Sequence, residues 1–152
     1  MRSLQSCKLA ELDIDDVAAD ASLSTDTIDT IGYRSALALF VADFIHGGGD
    51  IAAMKIDQSD SSDMSDSETI FELGTTADTA GTVNAIADFD ANEIVAVQID
   101  LVGKKRYMKA TFTASSAGGN NDFGFGMLLG DAVDETPADT SAGFGSTFLY
   151  RV

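Results

Sequence analysis

Tryptophan is absent from the 152-residue chain, and cysteine, proline and histidine occur once each. The lone Cys7 cannot close an intrachain disulfide, and its place near the N-terminus reads as a buried or idle thiol rather than a nucleophile. Nucleophilic catalysis needs a base beside the nucleophile. The only imidazole, His46, stands next to the turn Gly47-Gly48-Gly49, where a solvent-facing turn residue is the plain reading, so no enzyme is expected. Without tryptophan the chain also lacks a frequent sugar-stacking residue, and carbohydrate hydrolysis has no support. The longest uninterrupted apolar run, Ala36 to Ala42, is far too short to cross a bilayer as a helix. Met1-Arg2-Ser3-Leu4-Gln5-Ser6 leads into no apolar signal region, so a soluble chain without an export signal is expected. Positive charge is scarce as well: nine Lys and Arg stand against 25 Asp and Glu, a formal net charge of -16. Such a chain repels phosphate backbones and anionic lipid surfaces, which disfavours nucleic acid and membrane as partners.

What is present is a folding composition, 45% hydrophobic and 22% charged, in a length that suits one domain. Helical periodicity is weak, whereas short alternating or wholly apolar runs recur between clusters of Gly, Asp, Ser and Thr. That pattern predicts an all-β domain of about seven or eight strands: a single antiparallel β-sandwich, with the jelly roll among its forms. In Ala36 to Ile45, Leu37, Leu39 and Val41 face one way and Phe40 and Phe44 the other, which predicts a strand packed on both sides. Ile51 to Asp57 is expected to be its hairpin partner. Glu68 to Leu73 reads as another short strand. Glu93 to Leu101 and Lys105 to Thr113 alternate cleanly about Gly103 and are expected to form a second hairpin. Phe123-Gly124-Phe125-Gly126-Met127-Leu128-Leu129 reads as a core strand with one thin face. The expected organisation is an extended N-terminal arm over 1–30, the sandwich over 31–130, and a tail over 131–152. That tail holds Pro137 and would add a strand or touch a neighbour.

The acidic series Asp57, Asp60, Asp63 and Asp66 is the best cation candidate, because hard cations want clustered carboxylates in a loop. Its spacing misses the EF-hand pattern, so a solvated hairpin tip is expected, with no metal and no cofactor. Gly124, Gly126 and Gly130 miss the dinucleotide fingerprint and read as packing glycines. Lys104, Lys105, Arg106 and Lys109 gather four of the nine basic residues into six positions. With Tyr107 they form a candidate docking patch, whose bland counterpart is a solubilising hairpin end with Arg106 paired to a local carboxylate. Leu9, Leu12, Phe148 and Tyr150, near the two ends, complete the candidate interface.

In their order, Gly32-Tyr33-Arg34-Ser35-Ala36-Leu37, Ile56-Asp57-Gln58-Ser59-Asp60, Val102-Gly103-Lys104-Lys105-Arg106-Tyr107-Met108-Lys109 and Met127-Leu128-Leu129-Gly130 resemble small structural proteins of tailed bacteriophages. That group is encoded among the capsid genes and includes head decoration, or cement, proteins. The resemblance runs from about Ile31 to Gly130; the first 30 residues and the tail lie outside it. It implies a β-sandwich that binds the outer surface of an icosahedral shell, often as a homotrimer, with the major capsid protein as partner. The protein would be made in the bacterial host cytoplasm and carried on the virion. The alternatives are a jelly-roll module for glycan or calcium, or another head or tail structural protein.

Overall fold

A computed structural model describes residues 8–18, 21–43, 51–74, 83–85, 93–114, 121–130 and 147–152. Two sheets face each other, and the described residues contain no helix. The strands are β1 (Lys8–Val17), β2 (Ser22–Ser24), β3 (Ile28–Asp29), β4 (Ser35–Asp43), β5 (Ile51–Ser59), β6 (Glu68–Gly74), β7 (Val83–Ala85), β8 (Glu93–Asp100), β9 (Tyr107–Ala114), β10 (Asn121–Gly130) and β11 (Thr147–Arg151). Sheet A runs β1-β10-β4-β8-β11, and sheet B runs β2-β9-β5-β6-β7 with β3 also on β9. All pairings are antiparallel except β11 on β8 and β7 on β6. The all-β sandwich expected from the alternation is therefore what forms.

The core follows from that alternation. β4 buries Ala36, Ala38 and Phe40, β8 buries Val95, Val97 and Ile99, and β10 buries Phe123, Phe125, Met127 and Leu129. Sheet B answers with Met54 and Ile56, Phe71 and Leu73, and Met108, Ala110 and Phe112. Phe40 lies at the centre, its ring 4.9 Å from Phe125 in its own sheet and 5.0 Å from Phe112 in the other, both edge-on. Each Val, Leu, Ile, Phe or Met side chain so taken out of water is worth about 1.5–3 kcal/mol.

Three expectations change. Glu93 to Leu101 and Lys105 to Thr113 do not form a hairpin: β8 belongs to sheet A and β9 to sheet B. Alternation specifies which face a residue takes and leaves the neighbour open. Here the two apolar faces meet across the core, and residues 101–106 make the ~10 Å step between layers. The expected pairing of Ala36 to Ile45 with Ile51 to Asp57 fails in the same way, since β4 pairs with β10 and β8 while β5 pairs with β6 and β9. The stretch before Ile31 is also no free arm, for it supplies β1, β2 and β3. Its period of two is hidden by a bulge between Leu9 and Glu11, which puts Leu9, Leu12 and Ile14 in register with Leu128, Gly126 and Gly124. The tail does add a strand, β11, beside β8. Cys7, His46, Pro137 and the tail up to 146 lie outside the described residues.

Candidate functional site

β4 begins, β8 ends, β9 begins and β10 ends at one end of the sandwich, so the turns 30–34 and 101–106 lie side by side there. The hairpin tip between β5 and β6 reaches the same end. Backbone bonds lock the two turns: Leu101 N donates to Arg34 O at 2.9 Å and Thr30 N to Arg106 O at 3.0 Å. Thr30 Oγ1 donates to the same Arg106 carbonyl at 2.7 Å. Gly32 and Gly103 take the sharp bends with φ of 85° and 80°, a region that side chains with a Cβ rarely enter.

The basic run acts as the clasp of this end. Arg106 Nε and Nη2 donate to the two Asp29 carboxylate oxygens at 2.9 and 2.6 Å, and the guanidinium carbon lies 4.9 Å from the centre of the Tyr107 ring. Hydrogen bonds from Arg106, then from the Ile31 amide, lower the Asp29 pKa to about 2, and the same contact raises that of Arg106. The partner of Arg106 is close in space and far in sequence. Lys105 Nζ donates to Asp66 O at 3.0 Å and Asp66 Oδ2 at 3.3 Å, while its backbone N donates to Gln58 Oε1 at 3.0 Å. Among the described residues Lys104 and Lys109 have no carboxylate within ion-pair distance; Lys109 stands opposite Asp57 across the β5–β9 pairing.

The acidic series is spent on building the tip. Asp66 accepts from Ser59 Oγ, from Ser61 N at 3.2 Å and from Asp60 N at 3.3 Å. These donors, the Ser59 hydroxyl foremost, hold its carboxyl well below the usual range. Asp63 Oδ1 accepts from Ser65 N at 3.0 Å, and Asp57 is held by Thr69 Oγ1 at 2.6 Å and Lys55 Nζ at 2.9 Å. Asp57, Asp63 and Asp66 therefore point into separate turn and strand contacts, and Asp60 contributes its backbone N–H to Asp66. Among the described residues no three His, Cys, Asp or Glu side chains converge as a cation would require.

Beside these charged groups this end also exposes apolar side chains. Ile31 is 62% exposed and Val102 73%, one on each of the two locked turns. Leu9, paired with Leu128 near the same end, is 54% exposed. Sequence reasoning named Leu9 and missed the other two, although Val102 beside Gly103 and Ile31 beside Gly32 carry the legible signal of an apolar residue at a turn. The other end candidates are placed by register alone: Leu12 opposite Gly126, Phe148 opposite Val95 and Tyr150 opposite Val97. Comparison of the chain with family profiles, characterised proteins and solved structures returns no match.

Proposed function

We propose that this protein is a non-enzymatic structural component of a tailed-phage virion that binds the outer surface of the capsid and cements it. The observation that carries the reading is the nesting of its strand pairs: β1 with β10, β2 with β9, β4 with β8, β5 with β6. A long hairpin rolled into two layers gives such nesting, which supports the jelly-roll form of the sandwich, an architecture recurrent in viral capsid and lectin domains. Fold alone is an analogy and leaves shell protein and lectin both open. The surface favours the first. Rigid turns that hold Ile31 and Val102 outward suit an apolar protein contact, whereas a glycan site wants aromatic platforms and convergent polar groups.

The mechanism is linkage. A protein that binds only the intact shell stabilises it by about 2.7 kcal/mol per site when present at a hundred times its Kd. Contacts shared between neighbouring capsomers, and a trimer of the protein spanning them, spread that gain over the lattice. The test is to add purified protein to shells that lack it, then to measure co-sedimentation and the temperature at which the shells rupture. Saturable binding with a raised rupture temperature is expected; absence of binding refutes the proposal.

A further inference from the structure

The two turns that close the clasped end carry the same six-residue pattern: an aspartate, a β-branched aliphatic two places on, a glycine directly after it, and a closing cation. It stands in Asp29-Thr30-Ile31-Gly32-Tyr33-Arg34 and again in Asp100-Leu101-Val102-Gly103-Lys104-Lys105. The geometry repeats with it. Ile31 N donates to Asp29 Oδ1 at 3.0 Å, and Val102 N donates to Asp100 Oδ1 at 2.9 Å. Tyr33 N then closes on Thr30 O at 3.1 Å and Lys104 N on Leu101 O at 3.2 Å. With a positive φ at each glycine and none at the residue before it, both are type II turns held at their entry by an aspartate side chain. The place before the glycine is one where proline is common, and the turn itself calls for no aliphatic there. Both copies nevertheless put one there: Ile31 and Val102 are the two most exposed large hydrophobic side chains among the described residues.

The charges around the pair select the partner. Residues 29–34 and 100–106 hold four cations and two carboxylates, in a chain whose net charge is -16. Both carboxylates are engaged: Asp29 accepts from Arg106, and Asp100 caps its own turn. Asp66, the tip carboxylate that reaches the turns, is taken by Lys105. Asp60 and Asp63 form no ion pair among the described residues. Arg34, which is exposed, and Lys104, which is half-buried, are left without a carboxylate within ion-pair distance among those residues. Nothing lies within 4 Å of where a Cβ would stand on Gly32 or Gly103, so a partner can approach the backbone of both turns closely. The bonds from Leu101 N to Arg34 O and from Thr30 N to Arg106 O fix the turns to each other beforehand, which lowers the ordering cost of binding. We infer that the paired turns are a two-pronged docking element for an acidic protein surface: Ile31 and Val102 enter apolar hollows, and Arg34 and Lys104 meet Asp or Glu at their rims. The inference rests on the cement reading, under which that surface is the outside of the shell. A second copy carries the same excess of positive charge here, so pairing turn to turn brings like charges together and is disfavoured.

The test measures affinity for shells that lack the protein, at low and at raised salt. It compares the parent with Ile31→Ser, with Val102→Ser, with Arg34→Gln and Lys104→Gln combined, and with Thr111→Glu, which adds negative charge on sheet B. The free proteins are followed by thermal midpoint and by sedimentation equilibrium. Each aliphatic variant and the combined cation variant is expected to lose about tenfold or more in affinity while keeping the parent's midpoint, and Thr111→Glu binds as the parent does. Parent affinity falls as salt rises, and the cation variant flattens that dependence, as ion pairs to the partner require. Parent-like binding by both aliphatic variants or by the cation variant overturns the inference and leaves the cement reading standing, and so does a parent affinity indifferent to salt. Failure of the parent itself to bind overturns both. A free parent oligomer that Val102→Ser makes monomeric shows instead a contact between copies, and a midpoint that falls together with the binding shows side chains that hold the fold; either result overturns the inference.

Discussion

Replacing Phe40 by alanine tests the two-layer core at its most connected point. The side chain is fully buried, and its ring touches Phe125 and Phe112 edge-on with Phe71 stacked 6.1 Å away, so it bridges the sheets. Truncating a buried Phe costs about 3–5 kcal/mol, and losing three ring contacts worth about 0.5–1.5 kcal/mol each places this site in the upper part of that range. A loss of about 4–5 kcal/mol is a quarter or more of the 5–15 kcal/mol that holds such a domain together. At ~2–4 °C per kcal/mol for a chain of this size, the thermal midpoint falls by about 8–20 °C. Calorimetry with a urea titration would measure it. Val41→Ala, one residue along on the outer face, is the internal comparison and costs under about 1 kcal/mol, as substitutions away from the core do. Equal losses at the two positions, or a Phe40→Ala loss below about 2 kcal/mol, would refute the assignment of faces.

The clasp and the turn yield two further expectations. Gly103→Ala costs about 1–2 kcal/mol, because a residue with a Cβ is strained at φ of 80°, and nothing lies within 4 Å of the added atom to make the cause crowding. Gly103→Asn, tolerant of that region, recovers most of the loss in thermal denaturation; equal losses for the two would show that the turn is not strained. Asp29 has a folded pKa of about 2, below the ~3.9 of an unfolded aspartate, so its contribution is complete above pH 4 and is lost as pH falls toward 2. Asp66 and Asp63, also lowered, act in the same direction. Asp29→Asn therefore flattens acid unfolding followed by circular dichroism over that window, and a slope identical to the parent's would contradict the clasp.

Much of the fold could be read from the chain, and the limits of that reading have physical causes. Alternation in Lys105 to Thr113 and Glu93 to Leu101 marked Met108, Ala110 and Phe112, and Val95, Val97, Ile99 and Leu101, as the buried faces, because one buried face enforces a period of two. Partners were not legible: an alternating strand fits beside or across from another equally well until the whole sheet order is known. β1 escaped notice because one bulged residue turns its period of two into a spacing of three then two. The Arg106–Asp29 contact joins residues 77 apart, and nothing near either one names the other. For the same reason the basic run looked like an outward patch, although two of its cations are turned to intramolecular carboxylates. The outward side of β4, with Leu37, Leu39 and Val41, was half visible in the two-sided pattern of Ala36 to Ile45. What remained hidden was that its second side lacks a described layer of the chain's own.

The pairing of β1 with β10 also sets a clock. Lys8 meets Leu129 and Val17 meets Asn121, so β1, the earliest in chain order of the described strands, waits for β10 until more than a hundred further residues have been made. At about 5–20 residues per second that wait is on the order of 5–20 s, during which a ten-residue strand stands open to any edge it meets. Glu11, Asp13, Asp15 and Asp16 within it place four like charges on the open strand, which disfavours edge-to-edge pairing between copies. The acidity of this strand thus protects the chain in time as well as in solution, keeping a late-closing sheet apart from its neighbours until its own tenth strand arrives.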